Sequence, residues 1–174
     1  MTFGMYGSVF VLPLAWLGTG TLDIIGAGLA LMPTALTFIV VSPFSGALKT
    51  RFGVHVMTGG GVAVIACGLA IIGATAPSIF GAEIGLALTG IGMGLATGPL
   101  MGAAVGAVPA KRAGTASSLI NVARMAGATI GVAIMGAVFA TLQGGMPGLR
   151  AAMLVGAAVQ FAGAAAAMRS IRGD

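Results

Sequence analysis

The chain has 174 residues, 58% of them hydrophobic and only 6% charged, with eight Lys and Arg against three Asp and Glu. A soluble domain needs roughly a quarter charged residues to cover its surface, so this composition, with a mean hydropathy of +1.11, excludes a water-facing globule and points to a polytopic membrane protein. The net charge of +5 is spread singly or in pairs at the ends of apolar runs without an aromatic platform, a pattern of topology signals rather than of nucleic-acid binding.

Crossing ~30 Å of hydrocarbon takes about 20 apolar residues in a helix, at about 1.5 Å each. Six segments meet or approach that length: residues 3–17, 25–48, 56–74, 79–108, 114–142 and 149–168. The first is short, contains Pro13 and barely reaches across from Met1, so the chain is expected to be a piece of a longer protein. No basic leader precedes it, and a removable signal peptide is not expected.

The second segment carries Pro33 and Pro43 and ends in the polar break Ser42–His55, which holds Lys49, Arg51 and His55 and is expected as a loop. The third contains Cys67, expected as a small core residue; a lone cysteine excludes an internal disulfide. Ala76-Pro77-Ser78 leaves room only for a tight hairpin. The fourth segment exceeds what a bilayer needs, with Gly98-Pro99 as its expected hinge. Gly90, Gly94, Gly98, Gly102 and Gly106 recur along it at every fourth position, a ridge that lets a neighbouring backbone approach. Gly127, Gly131 and Gly136 repeat the device in the fifth segment. The glycine-rich turn QGGMPG precedes the sixth, and RSIRGD forms a polar tail, residues 169–174.

With six spans, Lys49, Arg51, Lys111, Arg112, Arg169 and Arg172 share one face with both termini, and the opposite loops hold only Arg150. The positive-inside rule makes that face, and both termini, cytoplasmic.

Few residues qualify for a functional role. Arg124 is a cation inside the fifth segment, with 18 largely apolar residues after it. It serves either as a positional or gating group near the interface or in a substrate pocket, with Asn121 one turn away as its expected hydrogen-bond neighbour. Gln160 lies midway along the sixth segment and must either bond a neighbouring helix or face a polar cavity. Glu83 and Asp23 are expected at the outer interface, and Thr34, Thr37, Thr89 and Thr129 bonded to backbone carbonyls. No acid or histidine stands at the bilayer midplane. No nucleotide loop, paired metal ligands or nucleophile-base set is present, so neither an enzyme nor a cofactor is expected.

The stretch GLALMPTALTFIVVSPFSGALKTRFG (Gly28–Gly53) and the run Gly90–Ala140, with VPAKRAGTASSLINVARMAGATIGVA at its centre, resemble the C-terminal half of a major facilitator superfamily transporter. The resemblance is nearest to the fourteen-span drug:proton antiporters and covers nearly the whole chain. Gly46, Arg51 and Gly53 match the superfamily's cytoplasmic loop pattern, in which the charges of the loop form a latch. Thr50 stands where the family has aspartate and His55 where it has a base, which puts the latch in doubt. The spacing of Gly85, Gly94, Gly98-Pro99 and Gly102-Ala103 imitates the antiporter motif but falls in the fourth span instead of the fifth, and is ascribed to glycine richness. The resemblance implies an all-α half-bundle of six transmembrane helices in one domain, residues 1–174. It would work by alternating access with an N-terminal half in the lipid bilayer, on a small-molecule substrate, by proton-coupled efflux. A free-standing six-span scaffold or partner-binding subunit without transport, and a half-size transporter acting as a homodimer, are the alternatives.

Overall fold

A computed structural model describes residues 1–170; the rest of the expected tail, including Arg172, lies outside the described residues. The described chain is helical throughout, without strands. In order come α1 (Thr2–Gly18), α2 (Ile24–Ala30), α3 (Met32–Val41), a 3-10 turn at Ser42–Phe44, and α4 (Ser45–Phe52). They are followed by α5 (Val54–Thr75), α6 (Ile79–Gly106), a 3-10 turn at Ala110–Arg112, α7 (Ala113–Thr141) and α8 (Gly145–Ser170). Five segments are long and apolar enough to cross a membrane: Ile24–Phe52, α5, α6, Ala110–Thr141 and Gly145–Arg169. The shorter α1 is the sixth apolar helix.

Three expectations need correction. The break Ser42–His55 is not a loop, since a 3-10 turn at Ser42–Phe44 leads into α4, which runs through Phe52 to Gly53. Gly53 adopts φ 81°, a left-handed conformation that glycine accepts without Cβ strain, and it reverses the chain into α5. Lys49 and Arg51 fall in the last turn of α4, where cations complement the helix carbonyls. Second, α8 starts at Gly145 and absorbs Met146-Pro147-Gly148, because proline in a first helical turn loses no intrahelical bond. The turn itself is narrower than expected, formed by Gln143, Gly144 and Gly145 at φ 59°, 71° and 65°. Third, Cys67 is exposed on α5; it faces outward and is not part of the core.

The core is assembled on α6, which offers two glycine edges. On one, Gly85 and Gly92 meet Gly68 and Gly61 of α5. A methyl at Gly61 would stand 2.6 Å from the Gly92 carbonyl oxygen, and one at Gly68 2.5 Å from that of Gly85, so the two backbones touch. The other edge is the expected ridge. A methyl at Gly90 would strike the Thr34 carbonyl, one at Gly94 would come to 3.1 Å from Val41, one at Gly98 to 2.6 Å from Ser45 Oγ and one at Gly102 to 3.2 Å from Lys49 Nζ. The segment Ile24–Phe52 therefore runs alongside α6 in the same direction, although it is broken at Leu31 and Ser42–Phe44. Gly106, the last of the ridge, has nothing within 4 Å.

The fifth-segment glycines are used similarly. Gly127 abuts Thr2, Gly131 the Phe3 backbone and Gly136 the Phe10 ring, so α1 and α7 run parallel. Met135 is fully buried and fills the notches left by Gly7 of α1 and Gly156 of α8. Gly59 meets Met168, and Gly73 meets Met153, which makes α5 and α8 antiparallel. All these directions are those of a chain that reverses at each connection.

The glycine contacts set a stability prediction. Gly92→Leu should cost about 1–3 kcal/mol through overpacking against Gly61 and Ile65. Gly60→Leu, where nothing lies within 4 Å, should stay within about 0.5 kcal/mol. Thermal or denaturant unfolding in detergent micelles reads the difference, and equal midpoints for the two variants would contradict the α5–α6 contact.

Candidate functional site

Polar groups inside apolar helices must find partners locally, because lipid supplies none. Thr89 donates to the Leu86 carbonyl at 2.7 Å and Thr129 to Met125 at 3.0 Å, each within its own helix as expected. Thr34 and Thr37 do more. Thr34 Oγ1 donates across to the Leu86 carbonyl at 3.2 Å, and Thr37 Oγ1 reaches the Ala87 carbonyl at 3.0 Å as well as Pro33 of its own helix at 2.7 Å. Both bonds pass beside Gly90, whose missing side chain admits the Thr34 backbone.

Gln160 is 3% exposed, and its Nε2 donates to the Met1 carbonyl at 2.8 Å. Of the two open alternatives, the structure shows the bond to a neighbouring helix. Gly4 completes that contact, since a methyl there would lie 2.8 Å from Gln160 Nε2. Gln160 thus ties α8 to the start of α1.

Arg124 and Asn121 lie on α7, at the level where α1 begins, with Gly127 against Thr2 marking the height. Arg124 is half-buried and Asn121 exposed. Arg124 Nε is buried without a hydrogen-bond partner, so Asn121 does not satisfy that atom as expected. The remaining 17 residues of α7 cover about 25 Å at about 1.5 Å each, which sets Arg124 toward the basic end of the bundle. Exposed Thr115, Ser118, Asn121 and Thr129 share α7 with it.

One set of residues went unnoticed in the sequence. Tyr6 of α1 lines a groove of about 430 Å³ with Ala128, Thr129, Val132 and Ala133 of α7. The only available signal was that Tyr6 is the single tyrosine of the chain, an amphipathic ring inside an apolar helix.

At the hinge candidate, α6 stays helical through Gly98-Pro99, and Pro99 is buried. Gly98 accommodates the Ser45 hydroxyl. Of the loop-pattern residues, Gly53 makes the turn, Arg51 stacks on the Phe52 ring at 5.6 Å, and Gly46 sits in α4 with open space about it. Thr50, in the place of the family's acid, bonds back to the Ala47 carbonyl at 2.7 Å. The basic side chains collect where α4, α6 and α8 end. At the opposite end Asp23 caps α2 through a 2.8 Å bond from the Gly26 N–H, Glu83 is half-buried in the second turn of α6, and Arg150 donates to the Ala76 carbonyl. Among the described residues no group of acids, histidines and cysteines could hold a metal ion.

No protein-family model matches the chain. The chain is 37% identical over 120 residues to the multidrug resistance protein Stp of Mycobacterium tuberculosis, covering 65% of this chain and 21% of that protein. It is 34% identical over 125 residues to a probable actinorhodin transporter of Streptomyces coelicolor, covering 68% and 22%. Against a triacylglyceride transporter of Mycobacteroides abscessus it is 32% identical over 137 residues, covering 66% and 27%. The chain spans about a quarter of the length of these relatives, and the match falls in their C-terminal portion.

The Gln160 tie is open to test. Gln160→Leu, similar in size but unable to donate, should destabilise the bundle by about 1 kcal/mol. Unfolding in micelles measures this, and an unchanged midpoint would contradict the bond.

Proposed function

We propose that this chain, a homologue of the C-terminal portion of multidrug-resistance and related transporters of the major facilitator kind, is one half of a secondary active transporter. It crosses the membrane six times as a single domain, with α1 as the first crossing and the basic end in the cytoplasm. The alternating helix directions and the gathering of Lys49, Arg51, Lys111, Arg112 and Arg169 at one end support this orientation.

The observation that carries the functional reading is the polar side of α7. Ser118, Asn121 and Thr129 are exposed on it, with Arg124 half-buried beside them. The Ser118 and Thr129 hydroxyls bond to carbonyls of their own helix, but hydrocarbon disfavours the Asn121 amide and the Arg124 guanidinium, so this side of α7 faces a polar cavity or another helical layer. An N-terminal half covering that side would complete a midplane cavity, and rocking of the halves would expose it alternately. The groove with Tyr6 and Thr129 then forms this half's wall for a small amphipathic substrate, and Arg124 stands at its cytoplasmic edge as a gating or substrate-contacting cation. Gln160 has a structural task instead. With no acid or histidine in mid-span among the described residues, the proton-coupling group belongs to the other half. Gly98-Pro99 provides the flex point, because Pro99 lacks the N–H that would bond the preceding turn.

Arg124→Ala in the full-length transporter should lower efflux roughly tenfold, as loss of a charged hydrogen bond of about 1.5 kcal/mol implies, without loss of protein from the membrane. Efflux of a fluorescent amphipathic dye from cells, normalised to membrane-inserted protein, makes the measurement. Unchanged efflux would reduce Arg124 to a marker of topology.

A further inference from the structure

α6 packs chiefly on α5 and α3, whereas α7 packs on α1 and α8. Where α6 ends and α7 begins the two helices therefore diverge, leaving a groove of about 300 Å³. Ala104 of α6 and Val108, just past its C-terminal end, form one wall, Leu119 and Ile120 of α7 the other, and Arg112 and Thr115 stand at its mouth. The 28 residues of α6 extend ~42 Å, more than ~30 Å of hydrocarbon, so its last turn reaches the headgroup layer. The groove runs from that layer into the acyl region, with its cation at the outer end and apolar side chains further in.

We propose that this groove binds an anionic phospholipid, its phosphate at Arg112 and Thr115 and one acyl chain along Leu119 and Ile120. Charge complementarity selects the occupant. Lys111 adjoins Arg112, and Lys49, Arg51 and Arg169 lie at the same end of the bundle. Both carboxylates of the described residues, Asp23 and Glu83, lie at the other end. Each Lys or Arg near an anionic leaflet strengthens attraction roughly fivefold, and Arg112 places one of these charges directly over an apolar slot. A free anion would leave the apolar walls uncovered.

The test uses a tryptophan reporter. Leu119→Trp is introduced into the full-length protein, which is reconstituted in vesicles containing brominated phosphatidylglycerol or brominated phosphatidylcholine. Quenching is read as the difference from the parent protein. We expect about fivefold stronger association of phosphatidylglycerol than of phosphatidylcholine at the introduced indole, falling to near parity when Leu119→Trp is combined with Arg112→Gln. A Leu36→Trp reporter, on an exposed face away from the groove, should show no preference and also confirms that the Arg112 variant is folded. Equal quenching by both lipids at position 119 would overturn the proposal. So would a preference that survives Arg112→Gln, or no quenching by either lipid, which would mean that protein covers the groove.

Discussion

The structure depends on direct backbone contact across α6. Lipid is as apolar as a leucine side chain, so burying such side chains between helices stabilises a membrane bundle little; close van der Waals approach has to do it. Glycine allows that approach, and α6 has it on two edges. Gly85 and Gly92 meet two glycines of α5, and the ridge Gly90 to Gly102 meets the Ile24–Phe52 segment. The same helix therefore fixes two neighbours at once. α5 then sets α8, and α8 meets α1 through Gln160 and Gly4.

Close approach also settles where the polar atoms go. The Thr34 and Thr37 hydroxyls can reach α6 carbonyls only because Gly90 admits their backbone. These two bonds add direction to a contact that glycines alone would leave free to slide. Charges are kept out of this layer and appear at its ends. Arg124 is the exception, a half-buried guanidinium with one unsatisfied nitrogen on the least buried of the long helices. Among the described residues, Thr58 Oγ1 on α5 is the other buried side-chain atom without a partner.

Much of this was legible in the sequence, for identifiable reasons. The step of four along α6 requires a contiguous face, so the ridge was readable; its partner was not, because that segment is broken at two prolines. The Gly61/Gly92 and Gly68/Gly85 contacts escaped notice because their spacing of seven is hidden among 31 glycines. The stretch Ser42–His55 departs from the expected loop for a physical reason. Hydropathy reports where the hydrocarbon ends, and α4 simply continues beyond that boundary with Lys49 and Arg51 on it. Cys67 failed similarly, since an apolar run looks the same whether it faces protein or lipid. The bond of Gln160 to a carbonyl 159 residues away has no local signature, although its need for a partner did. The groove at Tyr6 arises from the meeting of two distant helices and had no pattern to announce it.

The proposed topology has the chain reverse at every connection, with Lys49, Arg51, Lys111, Arg112 and Arg169 on the cytoplasmic side and Arg150 on the other. Labelling of single introduced cysteines in a Cys67→Ala background, with a membrane-impermeant thiol reagent on intact cells and on inside-out vesicles, tests it most directly. The account predicts that Lys111→Cys and Arg169→Cys react only in inside-out vesicles, and that Arg150→Cys and Thr21→Cys react only in intact cells. Labelling of both groups from the same side would contradict it.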